Sequence, residues 1–150
     1  MRALLQRVSE ASVVISNQQV AAITRGVLIL VGIEAEDGKD DTEWLAKKIT
    51  QLRVFSDDED KMNLDIKDVN GEIIVVSQFT LHAKTKKGNR PSYIKAARPE
   101  VAIPLYEDFK NQLASALGKA IQSGEFGADM KVSLTNDGPV TIWLDSKNKE

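Results

Sequence analysis

The chain has no cysteine and only one histidine, His82, among its 150 residues. Without thiols there is no disulfide, no zinc–thiolate site, no iron–sulfur cluster and no cysteine nucleophile. A single imidazole also excludes a two-histidine metal site. No apolar segment approaches the roughly 20 residues that a membrane-spanning helix needs. The opening "MRALLQRVSE" breaks its apolar run at Gln6 and Arg7, too early for a signal peptide. A cytoplasmic protein with no membrane partner is therefore expected. The acidic run from Asp57 to Asp60 lacks the ligand and glycine spacing of a calcium loop, so it reads as a solvated turn.

What is present is ordinary for a globular chain, with 42% hydrophobic and 28% charged residues and enough length for one domain with a real core. The charge is less evenly spread than the formal −2 implies. From His82 to Pro99 the sequence carries Lys84, Lys86, Lys87, Arg90, Lys95 and Arg98 and no acid. Taking those six from the 20 basic residues leaves 14 against 22 acids, a balance of −8 for the rest. The segment is either a solvated loop or a strip that contacts phosphates, with Gly88, Asn89 and Pro91 letting it bend round a backbone.

The pattern along the chain is α+β, without a linker or repeat. "RALLQRVSEASVVI" and "QQVAAIT" read as consecutive strands joined through Ser16 and Asn17, and "GVLILVGI" as a strand buried on both faces. Asp40 and Glu43 form a plausible capping box for a helix from Thr42 to Val54, with Leu45, Ile49 and Leu52 on one face. Asn70-Gly71 signals a tight turn before a second buried strand, "EIIVVSQFTL". Leu105, Phe109, Leu113 and Leu117 predict a longer helix that runs to about Ser123 and stops at Gly124. Near the C-terminus, Val132–Leu134 and Thr141–Leu144 read as strands around Asn-Asp-Gly-Pro, where a short hairpin explains the Asn and Gly but not the proline.

Alternation along "SQFTLH" puts Ser77 and His82 on opposite faces. Thr80 and His82 share a face but lie about 7 Å apart along a regular strand, too far for a direct hydrogen bond unless the chain turns. His82 is thus disfavoured as a catalytic base. What remains is a strand end presenting Ser77, Gln78, Thr80 and backbone N–H groups, which suits an already activated carbonyl substrate.

Several stretches together carry a family resemblance: "MRALLQRVSEASV", "GKDDTEWLAKKI", "DKMNLDIKDVNGE", "VSQFTL", "KKGNRPSY", "GEFGADM" and "NDGPVTIWLDS". The sequence resembles, nearly end to end, the bacterial D-aminoacyl-tRNA deacylases, also called D-Tyr-tRNA deacylases. The resemblance implies a single domain over residues 1–150, with a mainly antiparallel, barrel-like β core and two principal helices. It implies hydrolysis of the ester between a D-amino acid and tRNA, and of glycyl-tRNA mischarged on alanine tRNA, in a homodimer without metal or organic cofactor. The partner is the acceptor end of aminoacyl-tRNA, not DNA. Ser77, Gln78, Phe79 and Thr80 would be the catalytic pocket, either through Thr80 or through the terminal ribose 2′-hydroxyl. Gly138 and Pro139, joined by a cis bond, would reject L-amino acids in the partner subunit's site. Arg7 would hold that loop, Phe126 and Met130 would pack round the terminal adenosine, and Lys84, Lys86, Lys87 and Arg90 would contact phosphates.

Overall fold

The computed structural model describes residues 1–150. Its spine is β1 (Arg2–Ile15), a strand long enough to serve three partners. Residues Arg2–Val8 pair antiparallel with β3 (Gly26–Gly32), and Ala11–Ile15 pair with β2 (Gln18–Ile23) across a turn in which Ser16 and Asn17 both have positive φ. The other edge of β1 pairs with β8 (Lys131–Asp145) over almost its whole length. β6 (Glu72–Ser77) runs parallel to β3, and the two-residue β7 (Gln122–Ser123) parallel to β6. The order β2–β1–β3–β6–β7 then bends back on itself. Gln122 bridges the gap, its side-chain amide accepting from Ala22 N–H at 2.8 Å and donating to Ala22 carbonyl at 2.6 Å. The sheet is a nearly closed, mainly antiparallel barrel. A small hairpin of β4 (Phe55–Ser56) and β5 (Met62–Leu64), which periodicity did not signal, lies apart from it.

Two cores explain the continuous apolar runs of β3 and β6. On one face Val27, Ile29, Val31, Ile73 and Val75 pack with Leu45 and Ile49 of α1 (Lys39–Gln51) and with Tyr106 and Phe109 of α2 (Pro99–Leu117). On the other face Leu28, Ile74 and Val76 meet Val8, Val13 and Ile23. Each fully buried aliphatic or phenyl side chain contributes about 1.5–3 kcal/mol. Burial on both faces makes these strands rigid supports for whatever their ends carry.

The structure corrects four expectations. α1 begins at Lys39, because the carboxylate of Asp41, not Glu43, reaches back to a capping N–H, that of Gly38 at 2.9 Å. α2 ends at Leu117, because Gly118 takes a left-handed φ of 81° and donates to Ala114 carbonyl. Gly124 instead donates to Val75 carbonyl beyond β7. The "EIIVVSQFTL" strand stops at Ser77, and Phe79–His82 wind as a 3₁₀ turn. Finally, Val132–Leu134 and Thr141–Leu144 are not two arms of a hairpin. Both pair with β1 as parts of one strand, and between Gln6↔Thr141 and Val8↔Asn136 β1 advances two residues while β8 spans five. Asp137–Pro139 are looped out of that strand.

At the chain ends, the α-amino group of Met1 bonds Asp37 at 2.5 Å and Ser146 Oγ at 2.9 Å. Ser146 donates in turn to Asp41 at 2.6 Å, and Lys147 donates to the same carboxylate at 2.9 Å. Burial raises the Asp41 pKa, but these hydrogen bonds and that of Gly38 N–H outweigh it and bring the value down to about 2. No helix is long and apolar enough to cross a membrane.

Candidate active site

At the end of β6, Gln78 N–H makes the final bond of the ladder, to Val31 carbonyl at 2.7 Å. The chain then turns, Leu81 N–H donating to Gln78 carbonyl and Ala83 N–H to Thr80 carbonyl. The first N–H groups of such a turn, those of Phe79 and Thr80, have no acceptor within it. They are available to an oxygen placed at the strand end. The turn is tied down by Arg2, which donates to Leu81 carbonyl at 3.0 Å and to Asp145 at 2.9 Å. Sequence reasoning missed Arg2, since nothing local to an N-terminal arginine points to residue 81.

Beside this turn lies a cleft of about 320 Å³, lined mainly by apolar residues. Ser77, Gln78 and Phe79 form one wall, Ala97 and Ala102 another, and Phe126 and Met130 a third. Phe126 is held by a tilted contact with Tyr106, ring centroids 5.7 Å apart. Five of the expected site residues therefore converge on one cavity, although "GEFGADM" lies some 50 residues from "SQFT". Thr80 stands just off the cleft wall. Its Oγ1 accepts a 2.5 Å hydrogen bond from the Gln78 side-chain amide, and no basic group accepts its hydroxyl proton.

His82 cannot supply that base. It is 1% exposed, neither ring nitrogen has a hydrogen-bond partner, and it does not line the cleft. Burial pushes its pKa down. No cluster of His, Asp or Glu is arranged to hold a metal ion.

The Asp137–Pro139 loop is built differently. The Gly138–Pro139 bond is cis, and Gly138 has a φ of 137°. Asn136 pins the loop's base, its Oδ1 accepting from Val140 N–H at 2.8 Å and its Nδ2 donating to Thr141 Oγ1 at 2.9 Å. Arg7, only 9% exposed, donates to Asp137 carbonyl at 2.9 Å and to Val54 carbonyl at 2.6 Å. A Cβ on Gly138 would come within 3.0 Å of Arg7 Nη2 and 2.9 Å of Val140 Cγ2. The Val54 carbonyl was not legible in the sequence as part of this loop, and Asn136, read there as a hairpin turn residue, instead bridges the loop's base.

Loop and cleft lie far apart within one chain. Arg7 is level with Val27 and hence with Ile73, whereas Ser77 is level with Val31. That places the loop about 13 Å along the strands and three strand spacings from Ser77, and five residues along β8 from Val132, which also lines the cleft, a separation of about 17 Å.

The basic segment leaves the 3₁₀ turn as a hairpin closed by Lys84 and Ser92, whose N–H and carbonyl groups exchange bonds at 2.8 and 3.0 Å. Lys86, Lys87 and Arg90 are exposed on it. None of the six cations of this segment forms a salt bridge.

Residues 4–145 match the model of the family described as D-Tyr-tRNA(Tyr) deacylase. The chain is 65% identical to the D-aminoacyl-tRNA deacylase of Flavobacterium psychrophilum and 62% identical to that of Bacteroides thetaiotaomicron, over the full length of both chains in each case. It is 42% identical to the solved structure of a c-Myc DNA Unwinding Element Binding Protein, with a TM-score of 0.91 over 97% of this chain and 98% of that one. A probable eukaryotic D-amino acid tRNA deacylase shares the fold at a TM-score of 0.83 and 17% identity, over 95% of this chain and 97% of that one.

Proposed function

The chain belongs to the D-Tyr-tRNA(Tyr) deacylase family, and from that premise we propose that it is a cytoplasmic, homodimeric chiral proofreader whose cleft and Gly138–Pro139 loop work together across subunits. The activity is hydrolysis of D-aminoacyl-tRNA to free tRNA and D-amino acid. The observation that carries the cross-subunit reading is the separation of the two features: the loop stands more than about 10 Å along the strands from the nearest walls of its own cleft, yet Arg7 and Asn136 fasten it in place.

In this reading the terminal adenosine enters the cleft between Phe126 and Met130, and the ester carbonyl lies against the Phe79 and Thr80 N–H groups. Water adds to the carbonyl carbon, the amides stabilise the oxyanion, and collapse releases the ribose 3′-hydroxyl. Thr80 has no base and a donor on its oxygen, so the neighbouring 2′-hydroxyl of the substrate handles the proton. The partner's loop confronts the substrate Cα with main chain, which excludes an L-side chain whatever its identity. Glycine passes the same filter, making glycyl-tRNA mischarged on alanine tRNA a second substrate. The cationic hairpin meets acceptor-end phosphates.

Single-turnover hydrolysis of matched D-Tyr-tRNA and L-Tyr-tRNA, in a metal-chelating buffer, tests the reading. Rapid loss of the D-ester with the L-ester spared is the expected result. Survival of both esters while tRNA still binds would reduce the protein to an RNA-binding module.

A further inference from the structure

Beside the cleft mouth lies a group of exposed apolar side chains that the hydrolytic reading does not use. Phe79 is 56% exposed, Tyr93 37% and Ile94 80%. The two rings meet edge to face, centroids 5.0 Å apart at 77°. Tyr93 is not on a loose loop. The Lys84–Ser92 bridge holds it on one side, and on the other its carbonyl accepts from Ala96 N–H at 3.0 Å, next to the Glu34–Ala96 bridge. Phe79 is at once a wall of the cleft and one half of this ring pair. From Tyr93 the chain continues directly to Ala97 on the opposite wall.

Resting on the reading that the cleft takes a terminal adenosine, we propose that Tyr93, braced edge to face by Phe79, is a stacking shelf for the unpaired nucleotide immediately before it. Aromatic faces bind bases without regard to sequence, and a groove of cations beside them follows the backbone. The cations are supplied here by the exposed Lys84, Lys86, Lys87, Arg90 and Lys95, none of them in a salt bridge. Charge also decides the occupant. A self-complementary contact between two copies at this face would set one acid-free basic segment against another, whereas a single-stranded phosphate backbone neutralises it. The shelf fixes the direction in which the strand leaves the cleft, and so favours substrates with an unpaired 3′ end over blunt duplexes.

The test uses the full-length protein and a four-nucleotide RNA ending in adenosine, with fluorescent 2-aminopurine one position before the end. Wild type quenches the fluorophore by stacking. Tyr93→Ala abolishes the quenching and weakens the RNA about 10-fold, within the range found for loss of one base stack. Tyr93→Trp restores both, and adenosine monophosphate binds all three proteins equally. Quenching unchanged in Tyr93→Ala, with adenosine monophosphate still bound, would overturn the shelf alone. Failure of adenosine monophosphate to bind even wild type would instead remove the cleft reading on which the shelf rests. A change from dimer to monomer in Ile94→Glu, read by sedimentation, would assign the patch to a second copy and also overturn the shelf.

Discussion

The two loops proposed to handle substrate are held in opposite ways. The Asp137–Pro139 loop is fastened at its base by Asn136 and from beneath by a buried arginine, and its glycine has no room for a Cβ. The basic hairpin from Lys84 to Ser92 is closed by two backbone bonds, and its cations are free of salt bridges. The difference matches two kinds of recognition. Rejecting an L-side chain is a steric task that fails if a wall shifts by an ångström or so, while attraction to phosphates acts through several ångströms of salt water and tolerates mobile side chains.

The largest effect is therefore expected at the fastened loop. Arg7→Met leaves the carbonyls of Val54 and Asp137 without their donor and should cost about 2–4 kcal/mol of stability. Thermal denaturation checks the cost, and the D-to-L rate ratio of the surviving fold should drop with it.

Acid should act on the frame that carries both loops, with a somewhat smaller effect. The folded pKa of Asp41, about 2, lies below its ordinary 3.8, so its stabilisation is present above pH 4 and lost as pH falls toward 2. A tenfold difference in proton affinity between folded and unfolded chains is worth about 1.4 kcal/mol, which makes the full loss about 2 kcal/mol. His82 is a base with a depressed pKa, so the unfolded chain takes up its proton first and stability begins to fall below pH 6.5. Denaturant melts from pH 8 to pH 3 should fall in two stages. His82→Phe should remove the upper stage only.

The basic hairpin should behave in the opposite way. Replacing Lys84, Lys86, Lys87 and Arg90 by alanine should leave stability within about 0.5 kcal/mol. Each phosphate that the variant no longer neutralises should flatten the log–log salt dependence of tRNA binding by about 0.7–0.9. An unchanged slope would make the hairpin a solubility feature. The smallest effect is expected of Thr80→Val. With no base to activate its hydroxyl, single-turnover hydrolysis of D-Tyr-tRNA should slow by less than about 10-fold. A loss of several orders of magnitude would make Thr80 the nucleophile.

The contrast between the loops was only half legible in the sequence. Cations without acids are a local property, and the composition from His82 to Pro99 displays them directly. Strands β1, β2, β3 and the body of β6 were legible because β-branched and apolar runs of that length have few alternatives. The Asp137–Pro139 loop reads as a hairpin in sequence because what distinguishes a hairpin from a looped-out strand is the pairing partner, here β1, more than 120 residues away in sequence. Arg7 and Asn136 act through carbonyls and turns that exist only after that pairing. The end of α2 differs from its expected place because two glycines, Gly118 and Gly124, compete for one stop. Backbone conformation settles the choice, and residue type does not.

In the proposed division of roles, the fastened loop reads chirality and a cleft distant from it in the same chain carries out the chemistry. Gly138→Ala addresses it most directly, since its Cβ must displace Arg7 or Val140 while leaving every cleft residue in place. The measurement is the ratio of single-turnover rates on D-Tyr-tRNA and L-Tyr-tRNA, with tRNA affinity taken on the same protein. The ratio should fall at least about 10-fold, corresponding to roughly 1.4 kcal/mol of lost discrimination, with affinity unchanged within about twofold. An unaltered ratio in a folded variant would contradict that division.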